Sequence, residues 1–193
     1  MEELIISADS HVIEVPDLWE KGMPQSLRDR APKAYFDEQR DAWMFGSPEV
    51  PVQAVGGLFM AGQRPDQIES FRRAGFSVAR PGGWDPIVRM KDMEQDGVSA
   101  EVLYPSLGLG LYCIEDADFQ EALFRTYNDW LIDYCQKVPD PLYGIALISM
   151  YNIEHAIAEM ERCKKQGIVG TMIWQVPDPK LPFTSDHYER FWA

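Results

Sequence analysis

Two side chains near the start of the chain have the types and the spacing to hold a cation: Asp9 and His11. They close the apolar run Leu4-Ile5-Ile6-Ser7-Ala8. In an extended strand residues i and i+2 project to the same side, so a carboxylate oxygen and an imidazole nitrogen can converge on one divalent ion. An acid-x-His pair falls short of the three or four ligands of the strong metal patterns. It therefore also fits a turn-forming or helix-capping acid followed by a hydrogen-bonded surface imidazole. Glu14 is a third oxygen ligand, a partner that holds His11, or a solvated loop acid. The other histidines are His155 and His187. His187 follows a strand-end loop, where sites form, and is the candidate extra ligand; His155 sits beside Glu154 at a helix start and reads as part of a solvated face. Arg28, Arg30, Tyr104 and Trp174 are candidate substrate contacts, lying at strand ends or in an inserted region. Packing or solvation is the competing reading of each.

The elements that must position these residues follow from periodicity. The opening run, rich in Ile and followed by polar residues and Pro16, predicts a buried parallel strand with Asp9 and His11 at its carboxyl end. Pro16-Asp17 suits the start of a short helix that turns Leu18 and Trp19 inward. Residues 24 to 85 form an irregular excursion too long for a plain connection. Within it a hairpin is expected across Ala34 to Met60, with Trp43, Phe45, Val50 and Val52 as strand residues and Gly46-Ser47-Pro48 as its turn. Covering a site mouth and packing on another subunit are the two uses such an excursion can have.

From Asp85 the pattern is regular. A helix runs to Asp96, carries Ile87, Met90 and Met93 or Glu94 on successive turns, and ends at Gly97. Val98 to Tyr104 is a strand. Asp116 to Val138 is a helix whose apolar face carries Phe119, Leu123, Tyr127, Trp130, Leu131 and Tyr134; Pro139-Asp140-Pro141 stops it. Tyr143 to Met150 is a strand, Ile153 to Gln166 a helix, Ile168 to Val176 a strand, and a further helix begins at Ser185-Asp186. Strands alternating with helices through short connections mean parallel βα units, closing into a barrel or lying on an open sheet. No Gly-x-Gly-x-x-Gly follows the first strand, which removes the usual dinucleotide reading.

Composition narrows the partners. The chain has 193 residues, 46% hydrophobic and 25% charged, an ordinary globular balance. A net charge of −13, from 18 basic and 31 acidic residues, leaves no basic footprint for nucleic acid. No apolar run reaches the roughly 18 residues of a membrane span, and the start lacks a basic signal-peptide segment. The expected setting is cytoplasmic, with a small-molecule substrate as partner. Cys113, Cys135 and Cys163 are odd in number and widely spaced, which reads as core thiols and not as a disulfide or zinc framework.

One run resembles a known family. Asp9-Ser10-His11-Val12-Ile13-Glu14-Val15-Pro16-Asp17-Leu18-Trp19, with Pro24 and Leu27-Arg28-Asp29-Arg30-Ala31-Pro32 behind it, is similar to the start of amidohydrolase-related metal-dependent hydrolases and decarboxylases, of the aminocarboxymuconate-semialdehyde decarboxylase type. The likeness continues through Asp85-Pro86, Arg89-Met90-Lys91-Asp92-Met93, Gly97-Val98, Glu101-Val102-Leu103-Tyr104-Pro105, Tyr127-Asn128-Asp129-Trp130 and Gly144-Ile145-Ala146-Leu147. It implies an α/β fold of the (β/α)8 TIM-barrel type, of which this chain holds about four βα units plus the inserted hairpin region. It implies Asp9 and His11 as the first ligands of a divalent metal, with Zn, Mn and Fe all compatible with an oxygen and nitrogen pair. The family's remaining ligands, a His from the fifth strand and an Asp from the eighth, have no counterpart in this sequence. A complementing C-terminal half, in the same protein or another chain, and an oligomeric assembly are therefore expected.

The resemblance implies a metal-dependent hydrolase acting on a small aromatic or carboxylate-bearing substrate, with non-oxidative decarboxylation and two-metal oxidative chemistry as alternatives. A non-catalytic binding or scaffolding subunit is the reading from a different class.

Overall fold

A computed structural model of the protein describes residues 4–60, 63–138 and 140–193. Its centre is a four-stranded parallel sheet: β1 (Ile6–His11), β5 (Ala100–Tyr104), β6 (Leu142–Leu147) and β7 (Gly170–Met172), hydrogen-bonded in that order. Each new strand joins the far side of the one before, without the reversal of order that marks a doubly wound sheet. That is the path of a barrel wall. The outer edges of β1 and β7 have no strand partner among the described residues.

Helices return the chain between strands. Helix α3 (Pro86–Asp96) starts at Asp85, whose carboxylate accepts from the N–H groups of Ile87 and Val88, and ends at Gly97 with φ of 70°. That left-handed geometry is the reason for a glycine there. Helix α4 (Ala117–Gln136) is capped by Asp116 and buries Phe119, Leu123, Phe124, Tyr127, Leu131 and Tyr134; of its expected stop, Pro139 lies outside the described residues. Helix α5 (Ile153–Lys165) is capped by Asn152, which accepts from the His155 N–H. A short α6 (Glu189–Trp192) follows β7.

The excursion folds as a separate small layer. Strands β2 (Lys33–Asp37), β3 (Ala42–Gly46) and β4 (Gln53–Ala54) make an antiparallel sheet, and α2 (Ile68–Ala74) packs on β3. Trp19 of α1 (Leu18–Gly22) joins this layer to the main core: its ring lies 5.2 Å from that of Phe45, and its Nε1 donates to the Leu123 carbonyl at 3.0 Å.

Several expectations are corrected. The opening strand is parallel but not buried: Ile5 and Ile6 are 51% and 60% exposed, and β1 is an edge strand among the described residues. Val50 and Val52 belong to the loop between β3 and β4, and a first hairpin turn, at residues 38–41, precedes the expected one. Ile87 is exposed, and Arg89 takes the inward position on α3. The last strand is three residues long, Gly170–Met172, and the expected strand residues 173–176 lie outside it. No described helix is long and apolar enough to cross a membrane.

Candidate metal centre

Because all four strands run parallel, their carboxyl ends lie at one end of the sheet, the end where barrels of this kind place their chemistry. Asp9 and His11 are at that end of β1. The register of β1 on β5 slips between Ser7 and Ser10, a bulge of the kind that re-aims a side chain beside a site. Asp9 Oδ1 then stands 3.6 Å from His11 Nε2. Two donors each about 2.1 Å from a common ion lie roughly 3 to 4 Å apart, so the pair fits as two adjacent ligands.

The other ring nitrogen decides whether Nε2 is available. His11 Nδ1 is 2.7 Å from the Pro105 carbonyl oxygen. A carbonyl only accepts, so the proton of the neutral ring sits on Nδ1 and the lone pair on Nε2 faces Asp9. The backbone behind His11 is fixed as well. Arg89 Nη1 donates to the His11 carbonyl at 3.0 Å, and its Nε donates to Glu101, whose Oε1 accepts from Ser10 Oγ at 3.1 Å. Asp9 and His11 thus project from one face of β1, and the strand is anchored to α3 and β5.

The remaining candidates are not brought to this point. Glu14 is fully buried and spends both carboxylate oxygens on the N–H groups of Ser106, Leu107 and Gly108. Burial pushes its pKa up, and those backbone donors oppose the shift. It is not a ligand in this arrangement. His187 Nε2 lies 2.8 Å from the Met150 carbonyl, past the end of β6. His155 pairs with Glu121 at 2.9 Å on the surface, between α5 and α4. Among the described residues no three His, Cys, Asp or Glu side chains converge. Asp9 and His11 are thus the two candidate ligands that come together among the described residues.

Of the substrate candidates, Tyr104 stands beside the pair, its ring 6.1 Å from that of His11. Trp174 lies past the end of β7, packed edge-on against Tyr151 at 4.9 Å, and lines a cavity of ≈ 500 Å³ with Tyr112, Cys113 and Met172. Arg28 donates to the Met23 carbonyl at 3.1 Å and closes the end of α1. Arg30 binds Glu49 and Asp116 and stacks on Phe119 at 4.1 Å. Arg30 thereby ties the excursion to the start of α4, whereas the Arg28 contact is local. The sequence reading missed Pro105 and Arg89; a backbone carbonyl leaves no residue-type signal, and a buried arginine reads as surface.

No protein-family profile matches the sequence. Solved structures do match the fold. An amidohydrolase from Mycobacterium avium subsp. paratuberculosis superimposes with a TM-score of 0.71 at 16% identity, over 100% of this chain and 55% of its own. A dihydroxybenzoic acid decarboxylase from Polaromonas, solved with manganese and the inhibitor 2-nitroresorcinol, gives 0.58 at 18% identity, over 98% of this chain and 45% of its own. A 5-carboxyvanillate decarboxylase from Novosphingobium aromaticivorans, also with manganese, gives 0.56 at 19% identity, over 99% and 47%. The chain spans about half the length of the structures it matches. Its fold is that of the N-terminal portion of the TIM barrel seen in amidohydrolase and decarboxylase structures, with the barrel left open.

Proposed function

We propose that this chain carries the first two ligands of a divalent-metal centre in an enzyme of the amidohydrolase type, acting on a small aromatic, carboxylate-bearing substrate. The observation that carries the reading is the Asp9 and His11 pair, 3.6 Å apart with the imidazole lone pair freed by the Pro105 carbonyl. When bound, the ion supplies a Lewis acid for a water or for a substrate carboxylate. Asp9 and His11 Nε2 hold it, Pro105 keeps the proton off Nε2, and Arg89 holds the strand that carries both. Hydrolysis and non-oxidative decarboxylation both fit this centre; the named activities of the two manganese-containing relatives favour decarboxylation.

The rest of the centre belongs, in this reading, to four further βα units completing the wall, from the same polypeptide or a second chain. Among the described residues the outer edges of β1 and β7 have no strand partner, and Leu4, Ile6 and Val169 are 77%, 60% and 57% exposed at the strands nearest them. Apolar exposure at an open sheet edge marks a surface meant for covering.

Manganese titration of the full chain, read by calorimetry and elemental analysis, tests the centre. One ion per chain is expected, weak with two protein ligands, and lost in Asp9→Ala and in His11→Ala. Metal content unchanged in both variants would sink the reading. Carbon dioxide release from hydroxyaromatic acids, compared with amide and lactone hydrolysis by the completed barrel, separates the two chemistries.

A further inference from the structure

We propose that Glu14 is the positioning residue of His11, acting through a single peptide plane. The Pro105–Ser106 peptide carries two of the relevant groups. Its carbonyl oxygen receives His11 Nδ1 at 2.7 Å. Its N–H, on Ser106, donates to Glu14 Oε1 at 3.1 Å and Oε2 at 3.3 Å. A trans peptide unit is planar, with C=O and N–H pointing in opposite directions. Fixing one end of the plane therefore fixes the other: when Glu14 holds the N–H, the carbonyl must face His11.

The clamp is broader than one bond. Leu107 N–H donates to Oε2 at 2.9 Å and Gly108 N–H to Oε1 at 2.9 Å, so three consecutive amides converge on one carboxylate. Three converging donors need an acceptor with several lone pairs and no hydrogen, which among side chains is an ionised carboxylate. The approach is close enough that a Cβ at Gly108 would stand 3.2 Å from Glu14 Oε1. Ser106 Oγ adds a bond back to the Val12 carbonyl at 2.7 Å. Leu107, Gly108 and Glu14 are all buried, so water does not replace the carboxylate. The turn after β5 thus has its conformation dictated from the segment after β1, and that turn sets which nitrogen of His11 keeps its proton.

This rests on the metal reading only for its purpose; the tautomer itself is a property of the metal-free chain. The test uses the full chain with ¹⁵N-labelled histidine. Long-range ¹H–¹⁵N spectra at pH 8.5 are recorded for the wild type, Glu14→Gln, Glu14→Asp and Asn128→Ala. Asn128 clamps the Leu147 backbone in the same buried fashion, at 2.8 and 3.0 Å, and controls for lost stability. The wild type is expected to show His11 with Nδ1 protonated. Glu14→Gln, whose amide hydrogens oppose backbone N–H groups, should give a mixture with Nε2 protonated. Asn128→Ala should keep the wild-type pattern, and Glu14→Asp, which keeps the charge at shorter reach, should fall between. Manganese should bind Glu14→Gln about 10-fold or more weakly. A Glu14→Gln spectrum identical to the wild type, or an equal shift in Asn128→Ala, overturns the proposal. If Glu14→Gln does not fold, the spectrum of Glu14→Asp decides on the same terms. A wild type that binds no manganese but loses its tautomer in Glu14→Gln removes the metal reading and upholds this one.

Discussion

Arg89→Met should be among the more destabilising single changes in the chain. The Arg89 and Glu101 side chains are 10% and 12% exposed and paired through Nε, and Arg89 Nη1 also donates to the His11 carbonyl at 3.0 Å. Methionine fills much of the space but leaves Glu101, with its side chain only 12% exposed, without its cation. Removing one partner of such a pair costs about 3–5 kcal/mol. Unpairing the His11 carbonyl adds about 1 kcal/mol. Losing the bond from Arg89 Nη1 to the Gly82 carbonyl, at 3.3 Å, adds little, because Tyr134 Oη still donates to that carbonyl at 2.9 Å. A loss of about 4–6 kcal/mol is thus expected, a large part of the roughly 5–15 kcal/mol of a whole domain. The double variant Arg89→Met/Glu101→Leu removes the stranded charge, and Ser10 Oγ keeps Ser7 Oγ at 2.7 Å. It should therefore lie only about 1–2 kcal/mol below the wild type. Urea unfolding followed by tryptophan fluorescence measures all of these. A single variant within 1 kcal/mol of the wild type, or a double variant worse than the single, would refute the idea that pair geometry holds β1 to α3.

The thiols give a cheaper check. Burial pushes Cys135 up to about 11 and Cys163 up to about 12; it raises Cys113 as well, but that thiol is exposed. A disulfide reagent at pH 8 should titrate one thiol quickly, the other two reacting at least about a hundredfold more slowly until urea is added; three equal rates would contradict the packing. Glu159 accepts from Arg162, Arg125 and Asn128. Burial raises its pKa, but these donors outweigh burial and hold it below the usual carboxylate value. Its folded pKa is thus the lower one, so its stabilisation is present above about pH 4.5 and fades as pH falls through the folded value. The stability gap between wild type and Glu159→Gln should accordingly shrink on acidification; a gap that widens below pH 4 has the wrong sign. Replacing Leu4 or Ile6 by Lys should leave the unfolding midpoint nearly unchanged and reduce both hydrophobic-dye binding and self-association, since both residues are exposed. A fall of several degrees in Tm would show that they are covered within the chain itself.

Much of the architecture was readable because local signals agreed with each other. Asp85 and Asp116 cap the helices they precede, Gly97 ends α3, and the apolar face of α4 is the one that packs. The candidate pair was readable for the same reason: two residues apart on a strand is a local relation. What resisted reading was non-local. Burial of β1 cannot be inferred from its Ile content, since the covering element is not its neighbour in sequence. Glu14 has the residue type of a ligand, and only the turn of 106–108, far along the chain, turns it into a clamp. Arg28 and Arg30 look like substrate contacts until Met23, Glu49, Asp116 and Phe119 are seen to engage them.

The long excursion between β1 and β5 has a kinetic consequence. Ile6 pairs with Ala100, whereas Ile145 pairs with Gly170. Closing a loop of roughly 90 residues costs about 1 kcal/mol more in chain entropy than closing one of roughly 25, and contacts of high sequence separation form late. Strands β5 to β7 with α4 and α5 are therefore expected to assemble first, and the strand bearing Asp9 and His11 to dock onto a wall already built. In native-state hydrogen exchange, the amides of β1 should open at lower free energy than those of β6, so that ligands for a metal would be delivered by a strand more reversible than the centre of the sheet.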